Sequence, residues 1–94
     1  MTREELTVRI ETAANHLRSL GAKEVYVFGS AARGELRRFG DVDLAVVGLP
    51  DPVFFRAIAE TSEIVGRPVD LTCLDKPDPL SRYLRESRTL RRVG

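Results

Sequence analysis

Residues 42–74 read VDLAVVGLPDPVFFRAIAETSEIVGRPVDLTCL, and this stretch begins and ends with the same strand-like pattern. Val42-Asp43-Leu44 recurs as Val69-Asp70-Leu71. At the same spacing, Pro50-Asp51-Pro52 recurs further along the chain as Pro77-Asp78-Pro79. Two copies are too few for a stacked repeat protein. We therefore interpret them as two successive units of one domain, each made of a strand followed by a helix.

The two units predict a parallel pair of strands. The strands cover about 42–47 and 69–74, and the helices that follow them cover about 52–65 and 79–91. In front of each helix an aspartate is placed to cap it, and a proline occupies the first helical position. A strand, a helix and a second strand within about 30 residues form a βαβ unit, whose strands run parallel and are often neighbours. The sequence therefore predicts an α/β fold.

An amphipathic helix and a further strand precede these units. Thr2 is followed three residues later by Glu5, which matches a capping box, and apolar residues then recur at helical spacing. The run Val25-Tyr26-Val27-Phe28 predicts a strand covered on both faces, and it ends at Gly29-Ser30. Residues 31–40 are polar and contain two glycines, so that at most a short helix fits before the next strand.

The composition fits one folded domain over residues 1–94, in which we expect residues 88–94 to fray. Apolar residues make up 43% and charged residues 31% of the chain, close to ordinary globular usage. Fifteen basic and fourteen acidic side chains leave a net charge of +1, which gives no strong signal for nucleic-acid binding. The single Cys73 cannot form an internal disulfide, and no apolar run is long enough to span a membrane. We predict a cytoplasmic protein without membrane contact.

Three aspartates are predicted to converge at one end of the parallel strands. Asp43 and Asp70 occupy the same position in the two units, so their carboxylates would lie about 5 Å apart on adjacent strands. Asp41 precedes Asp43 by two residues and would share its face. Such a cluster repels itself, and either a raised pKa or a bound cation relieves the repulsion. Open carboxylate clusters suit Mg²⁺, which accepts further oxygens from phosphates.

Gly29 and Ser30 form a candidate phosphate site. A glycine at a strand end allows close approach of the backbone to a triphosphate, and Ser30 with the following backbone N–H groups can donate to phosphate oxygens. Arg33 is available for the same anion. Taken alone, a glycine after a strand is more often only a turn. The aspartates nearby make the phosphate interpretation the stronger one.

Taken together, these residues resemble a known family. Gly29-Ser30, ten intervening residues and Asp41-Val42-Asp43, with Asp70 on a further strand, are similar to the pattern of the minimal nucleotidyltransferase (MNT) family of the DNA polymerase β superfamily. The resemblance implies a single-domain nucleotidyltransferase core, with a mixed β-sheet of about three to four strands flanked by helices.

The resemblance also implies roles for individual residues. Asp41 and Asp43 would be ligands of two Mg²⁺ ions, for which Mn²⁺ can substitute. Asp70 would be a ligand of one ion and the base toward the attacking hydroxyl, so that all three aspartates are candidate catalytic residues. Gly29 and Ser30 would hold the triphosphate of ATP.

A Mg²⁺-dependent transfer of AMP from ATP to a hydroxyl, most simply a tyrosine, of a HEPN-type toxin is the function implied by the resemblance. The protein would then act as the antitoxin. Two alternatives stay open at this point. The domain could bind a nucleotide and neutralise its partner by contact without catalysis, or it could modify a small molecule or an RNA end. The identity of the base and the oligomeric state are not fixed by the sequence.

Overall fold

A computed structural model describes residues 2–29, 40–86 and 90–93 of the chain. Within these ranges lie α1 (Arg3–Ser19), β1 (Glu24–Phe28), β2 (Val42–Val47), a 3₁₀ turn (Asp51–Val53), α2 (Phe54–Val65), β3 (Val69–Cys73), α3 (Pro79–Glu86) and β4 (Arg91–Arg92). No helix in the described part of the chain is long and apolar enough to cross a membrane.

The strands form one mixed sheet in the order β3-β2-β1-β4. β2 and β3 are parallel neighbours, as the βαβ pattern predicted, and α2 connects them. β1 is antiparallel to both β2 and β4. The predicted α/β fold with a mixed sheet flanked by helices is confirmed.

The two faces of the sheet are unequally covered. One face packs against α1 and α2 and carries the main core, to which the strands contribute Val25, Val27, Val42, Leu44, Val46, Val69, Leu71 and Cys73. Because side chains alternate along a strand, the residues between these point the other way. We call this other side the open face; its residues include Tyr26, Phe28, Asp43, Ala45 and Asp70. A smaller apolar cluster there joins Ala45 and Leu74 to Leu84 of α3.

Two of the three predicted helix caps are confirmed. Thr2 Oγ1 accepts a hydrogen bond of 3.1 Å from the Glu5 amide, and Asp78 Oδ1 accepts one of 2.7 Å from the Ser81 amide. Gly66 ends α2 in a left-handed conformation. The predicted cap at Asp51 is wrong, because residues 51–53 form a 3₁₀ turn and the Asp51 carboxylate instead pairs with Lys76 at 3.2 Å.

The C-terminal end differs from its prediction. Of the helix expected over 79–91, Pro79–Glu86 are helical, residues 87–89 lie outside the described residues, and Arg91–Arg92 instead pair with β1 as a short edge strand. The Val93 amide donates to the Val25 carbonyl at 2.9 Å, and the Val93 side chain is buried. Of the segment 88–94, for which fraying was expected, residues 90–93 are therefore docked on the sheet, because the edge of β1 offers free backbone hydrogen-bonding groups.

A polar bridge joins the two helices of the covered face. Glu60 of α2 lies 2.8 Å from His16 Nε2 of α1, and its second oxygen accepts a hydrogen bond of 3.2 Å from Arg56 Nε. These hydrogen bonds, first that of His16 and then that of Arg56, hold the pKa of Glu60 below its ordinary value. The ionised form of Glu60 is therefore favoured by folding.

This bridge predicts an acid-sensitive contribution to stability. A lowered carboxylate pKa stabilises the fold above the ordinary glutamate value of about 4.3, and the contribution is lost as the pH falls through the folded pKa. We expect Glu60→Gln to reduce the free energy of unfolding at pH 7, and the difference from wild type to shrink below about pH 4. Urea unfolding from pH 7 to 3 measures this. Glu63→Gln, at an exposed site on the same helix, is the control, and an equal pH profile for both variants would contradict the prediction.

Candidate functional site

The pairing of β2 with β3 places two predicted site residues side by side. Asp43 is the direct register partner of Asp70, and both project from the open face. Paired positions on neighbouring strands lie about 5 Å apart. Asp43 is half-buried and Asp70 is exposed. The sequence prediction that these two aspartates are neighbours is confirmed.

Gly29 lies against the Asp43 side chain. Phe28, the last residue of β1, pairs with Asp43, and the chain turns at Gly29 with a φ of 71°. A Cβ atom at Gly29 would overlap Asp43 Oδ2, which is the nearest atom to that position. Glycine is therefore required here twice, by the left-handed backbone and by the carboxylate next to it. The expected proximity of the β1 end to the aspartates is observed.

The aspartates act on one another electrostatically. Burial raises the pKa of Asp43, and the negative charges of Asp70 and Asp41 raise it further. Asp41 immediately precedes β2 and is exposed. The three carboxylates are thus close enough for their charges to interact, and this interaction disfavours the ionised form of Asp43.

The carboxylates of Asp41, Asp43 and Asp70 are the kind of oxygen ligand that a hard divalent cation prefers. By themselves, they do not supply a complete set of ligands. Among residues 2–29, 40–86 and 90–93, no three His, Cys, Asp or Glu side chains are arranged to hold an ion. Mg²⁺, however, commonly uses one or two protein carboxylates together with water and substrate phosphate oxygens. The paired carboxylates of Asp43 and Asp70, with Asp41 close enough for its charge to act on Asp43, are consistent with this mode of Mg²⁺ binding. Ser30 and Arg33, predicted for the phosphate, lie outside the described residues.

A groove that the sequence did not predict lies further along the open face. It has a volume of about 550 Å³ and is lined by Glu24, Tyr26, Val47, Leu74, Arg85 and Leu90. One signal for it was present, since Tyr26 and Phe28 alternate with the core residues of β1 and need a cover of their own. In the described part of the chain, α3 is the helix on this side of the sheet, and it buries Leu84 against Ala45 and Leu74. The groove lies beside this contact, and its lining combines apolar side chains with the charged Glu24 and Arg85.

Comparisons with known proteins give the family and the fold. A sequence model described as nucleotidyltransferase domain matches residues 10–92. A solved structure whose protein is described as a minimal nucleotidyltransferase is 29% identical, with a TM-score of 0.79, and the match covers 97% of this chain and 95% of that chain. No curated protein sequence matches significantly.

Two further solved structures share the fold at lower identity. One is a chain of a toxin–antitoxin with AMP-PNP, at 20% identity and a TM-score of 0.73, covering 94% of this chain and 72% of that one. The other belongs to a complex of tri-AMPylated Shewanella oneidensis HEPN toxin with MNT antitoxin, at 16% identity and a TM-score of 0.67, covering 99% and 72%. At these identities the likeness shows the fold alone.

The electrostatics of Asp43 predict that its charge destabilises the fold at neutral pH. A raised carboxylate pKa favours the folded state below the unfolded pKa and costs stability as the pH rises through the folded pKa. We expect Asp43→Asn to increase the free energy of unfolding at pH 7 by about 1 kcal/mol or less, because solvent screens partly exposed charges. The gain should vanish below about pH 4.

Urea unfolding of wild type and Asp43→Asn at pH 7 and pH 3.5 checks this. Asp51→Asn is the matched control, since it removes the same charge from an attractive pairing with Lys76 and should give no gain. A loss of stability in Asp43→Asn at pH 7 would show that the local repulsion is outweighed by other contacts of this carboxylate.

Proposed function

Because the chain belongs to the nucleotidyltransferase domain family, we propose that it transfers AMP from ATP to a hydroxyl group in a Mg²⁺-dependent reaction. The observation that carries the proposal is the direct pairing of Asp43 with Asp70 beside the glycine that ends β1. The repulsion of Asp70 and Asp41 on Asp43 opposes folding, so these three aspartates do not serve to stabilise the sheet. Their purpose is then to meet a cation and the phosphates that accompany it.

Each aspartate has a proposed role. Asp41 and Asp43 would hold two divalent ions, and Asp70 would hold one of them. When bound, these ions supply charge stabilisation for the phosphoryl oxygens and for the leaving group. Asp70 is the most exposed to an incoming acceptor of the two strand carboxylates, and it would take the proton from the acceptor hydroxyl. Asp43, tucked against Gly29, would be the ligand fixed by its surroundings.

The proposed reaction is a single displacement at the α-phosphorus of ATP. The acceptor oxygen, losing its proton to Asp70, forms a bond to the α-phosphorus of ATP. The bond between the α-phosphorus and the oxygen that bridges to the β-phosphate breaks, and pyrophosphate leaves. The protein's contribution is to orient these groups and to balance their charge. Gly29 would let the backbone approach the triphosphate, with Ser30 and Arg33 donating to its oxygens.

A tyrosine of a HEPN-type toxin is the acceptor we propose, which makes this chain the antitoxin. Supporting this choice, chains of the same fold come from a toxin–antitoxin with AMP-PNP and from a complex of tri-AMPylated HEPN toxin with MNT antitoxin. The family match spans residues 10–92 and so includes all four strands of the described sheet.

Gly29 gives a first test, on nucleotide binding. Gly29→Ala should weaken ATP binding by at least about tenfold, because the new methyl group displaces Asp43 Oδ2 from the site. Gly48→Ala is a matched control: Gly48 also has a left-handed φ, of 83°, but its Cβ would meet the flexible Lys23 side chain. Both variants should lose about 1–2 kcal/mol of stability through backbone strain. Calorimetric titration with ATP and Mg²⁺ distinguishes them, and equal affinities would reject the phosphate role of Gly29.

Transfer itself gives the second test. We expect the purified chain, mixed with labelled ATP, Mg²⁺ and the small helical protein that the neighbouring reading frame should encode, to add one or more AMP masses to that protein. Asp43→Asn should reduce the rate by at least about a thousandfold, since it removes a metal ligand from the reacting centre. Asp51→Asn is the control and should retain activity.

Two outcomes would overturn the proposal in different ways. If Asp43→Asn neutralises the partner in cells as well as wild type does, neutralisation requires contact and not chemistry. If wild type labels RNA ends or a small molecule instead of the protein, the reaction class stands and the acceptor is wrong. Mass spectrometry of each candidate acceptor after incubation separates these results.

A further inference from the structure

The outer edge of β3 forms the floor of a second groove. β3 is the last strand in the order β3-β2-β1-β4, so among the described residues only one of its two sides is paired. The groove has a volume of about 280 Å³ and is lined by Leu71, Thr72, Cys73, Phe54, Lys76 and Asp78. Successive strand residues point to opposite faces of a sheet, so a groove lined by three of them in a row opens at the strand's edge. We call it the edge groove.

The hydrogen bonds between β2 and β3 show which backbone groups of β3 point outward. The Val42 amide donates to the Pro68 carbonyl at 2.9 Å, and the Leu74 amide donates to the Val46 carbonyl at 2.8 Å. Because the backbone groups of successive strand residues point to opposite sides, residues 68, 70, 72 and 74 face β2. The residues whose amide and carbonyl groups point outward are therefore Val69, Leu71 and Cys73.

Two of these outward groups are already bonded within the chain. The Val69 amide donates to Ser62 Oγ at 3.0 Å, and the Cys73 carbonyl accepts a hydrogen bond of 2.8 Å from Ser81 Oγ. The other four are the Val69 carbonyl, both groups of Leu71 and the Cys73 amide, and no hydrogen bond to them is found in the described part of the chain. Such unpaired groups on a strand edge are a template for pairing with another strand.

We propose that this edge binds the β3 edge of a second copy of the chain, so that two sheets join into one across a two-fold axis at Leu71. In an antiparallel pair centred there, the two Leu71 residues exchange both of their hydrogen bonds, and Val69 lies opposite Cys73 of the second copy. The Cys73 amide of each copy then donates to the Val69 carbonyl of the other. The bond that this pattern omits would join the Val69 amide to the Cys73 carbonyl, and both groups are already satisfied by Ser62 and Ser81.

The two neighbouring antiparallel registers fit less well. If Asp70 lay on the axis, the Leu71 carbonyl would face the Val69 amide, which is already bonded. The two Asp70 carboxylates would also oppose each other, which destabilises a strand pair. If Thr72 lay on the axis, the Leu71 amide would face the Cys73 carbonyl, which is already bonded. Of these three registers, only the one centred on Leu71 pairs all four unbonded groups, which is why a second copy fits this edge.

The side chains of the joined strands are compatible with this register. On the covered face, Leu71 meets Leu71 of the second copy. On the open face, Asp70 lies opposite Thr72 of the second copy, with Cβ atoms about 5 Å apart, so a hydroxyl meets each carboxylate. Phe54 lines the edge groove, and Phe55, whose ring centroid lies 5.4 Å from that of Phe54, is 81% exposed and adds apolar surface nearby. The second copy therefore contributes a hydroxyl beside the candidate site.

An engineered disulfide tests the register. In the proposed dimer, Val69 and Cys73 of the second copy have Cα atoms about 5.5 Å apart, within the range that a disulfide bridges. Within one chain these positions are four residues apart on a strand, or about 13 Å, and cannot be bridged. We expect Val69→Cys, oxidised mildly in concentrated solution, to run at twice the chain mass on a non-reducing gel and to return to the monomer on reduction.

Two variants control for chance oxidation. Val69→Cys combined with Cys73→Ser removes the opposing thiol, and Val25→Cys places a cysteine on the covered face of the inner strand β1. Neither should be cross-linked above the wild-type level. If Val69→Cys is cross-linked no more than these controls, the proposed register is wrong.

Charge at Thr72 tests the dimer without oxidation. Sedimentation velocity over a range of concentrations gives the dissociation constant, which we expect in the micromolar range because the contact is small. Thr72→Asp opposes a carboxylate to Asp70 twice per dimer and should weaken association by about tenfold, whereas Thr72→Lys should strengthen it. Thr7→Asp, at an exposed position of α1, is the matched control and should leave the dissociation constant unchanged.

Two sedimentation results would overturn the proposal. One is a wild-type chain that stays monomeric at the highest concentration its solubility allows, which would leave the edge to a strand of another protein. The other is a dimer whose dissociation constant is the same in Thr72→Asp and Thr72→Lys, which would place the contact elsewhere. Because neither cross-linking nor sedimentation uses ATP, a failure of AMP transfer would refute the proposed function and leave the dimer proposal standing.

Discussion

The parallel pairing of β2 with β3 holds the rest of the structure in place. Its register is set by the side chains of the covered face, since Val42, Leu44 and Leu71 are buried in the main core. A slip of one residue would turn each of these side chains to the other face. Each buried Val or Leu stabilises the fold by about 1.5–3 kcal/mol, whereas the screened repulsion among partly exposed carboxylates costs about 1 kcal/mol or less. The core therefore forces Asp43 and Asp70 together despite their like charges.

The candidate site lies on the face of the sheet that α1 and α2 do not cover. Two long helices are needed to cover one side of a four-stranded sheet, and here α1 and α2 do so. In the described part of the chain, the other side is packed by α3, which buries Leu84 against Ala45 and Leu74. The half-buried Asp43 and the exposed Asp70 lie on this side, where ions and other molecules can reach their carboxylates. The accessibility of the site therefore depends on how the helices divide between the two faces as well as on particular side chains.

The sequence predicted those features that depend on local pattern. Strand β2, the parallel neighbour β3 and the pairing of Asp43 with Asp70 all follow from a repeated motif and from the alternation of side chains along a strand. Residues Arg91–Arg92 show no such alternation, because both are exposed and only their backbone pairs with β1. Asp51 has the right neighbours for a cap, yet Lys76 from the other unit attracts its carboxylate. Both errors come from contacts between segments distant in the chain, which no local pattern contains.

The open face is electrostatically polar along β2. At one end, burial and the negative charges of Asp70 and Asp41 raise the pKa of Asp43. At the other end, Arg85 lines a groove together with Glu24. The Glu24 carboxylate accepts a hydrogen bond from the Tyr26 hydroxyl and forms an ion pair with Arg92. The described residues at the two ends of this face therefore differ in charge: they are acidic beside Gly29, where Asp43 pairs with Asp70, and basic at Arg85.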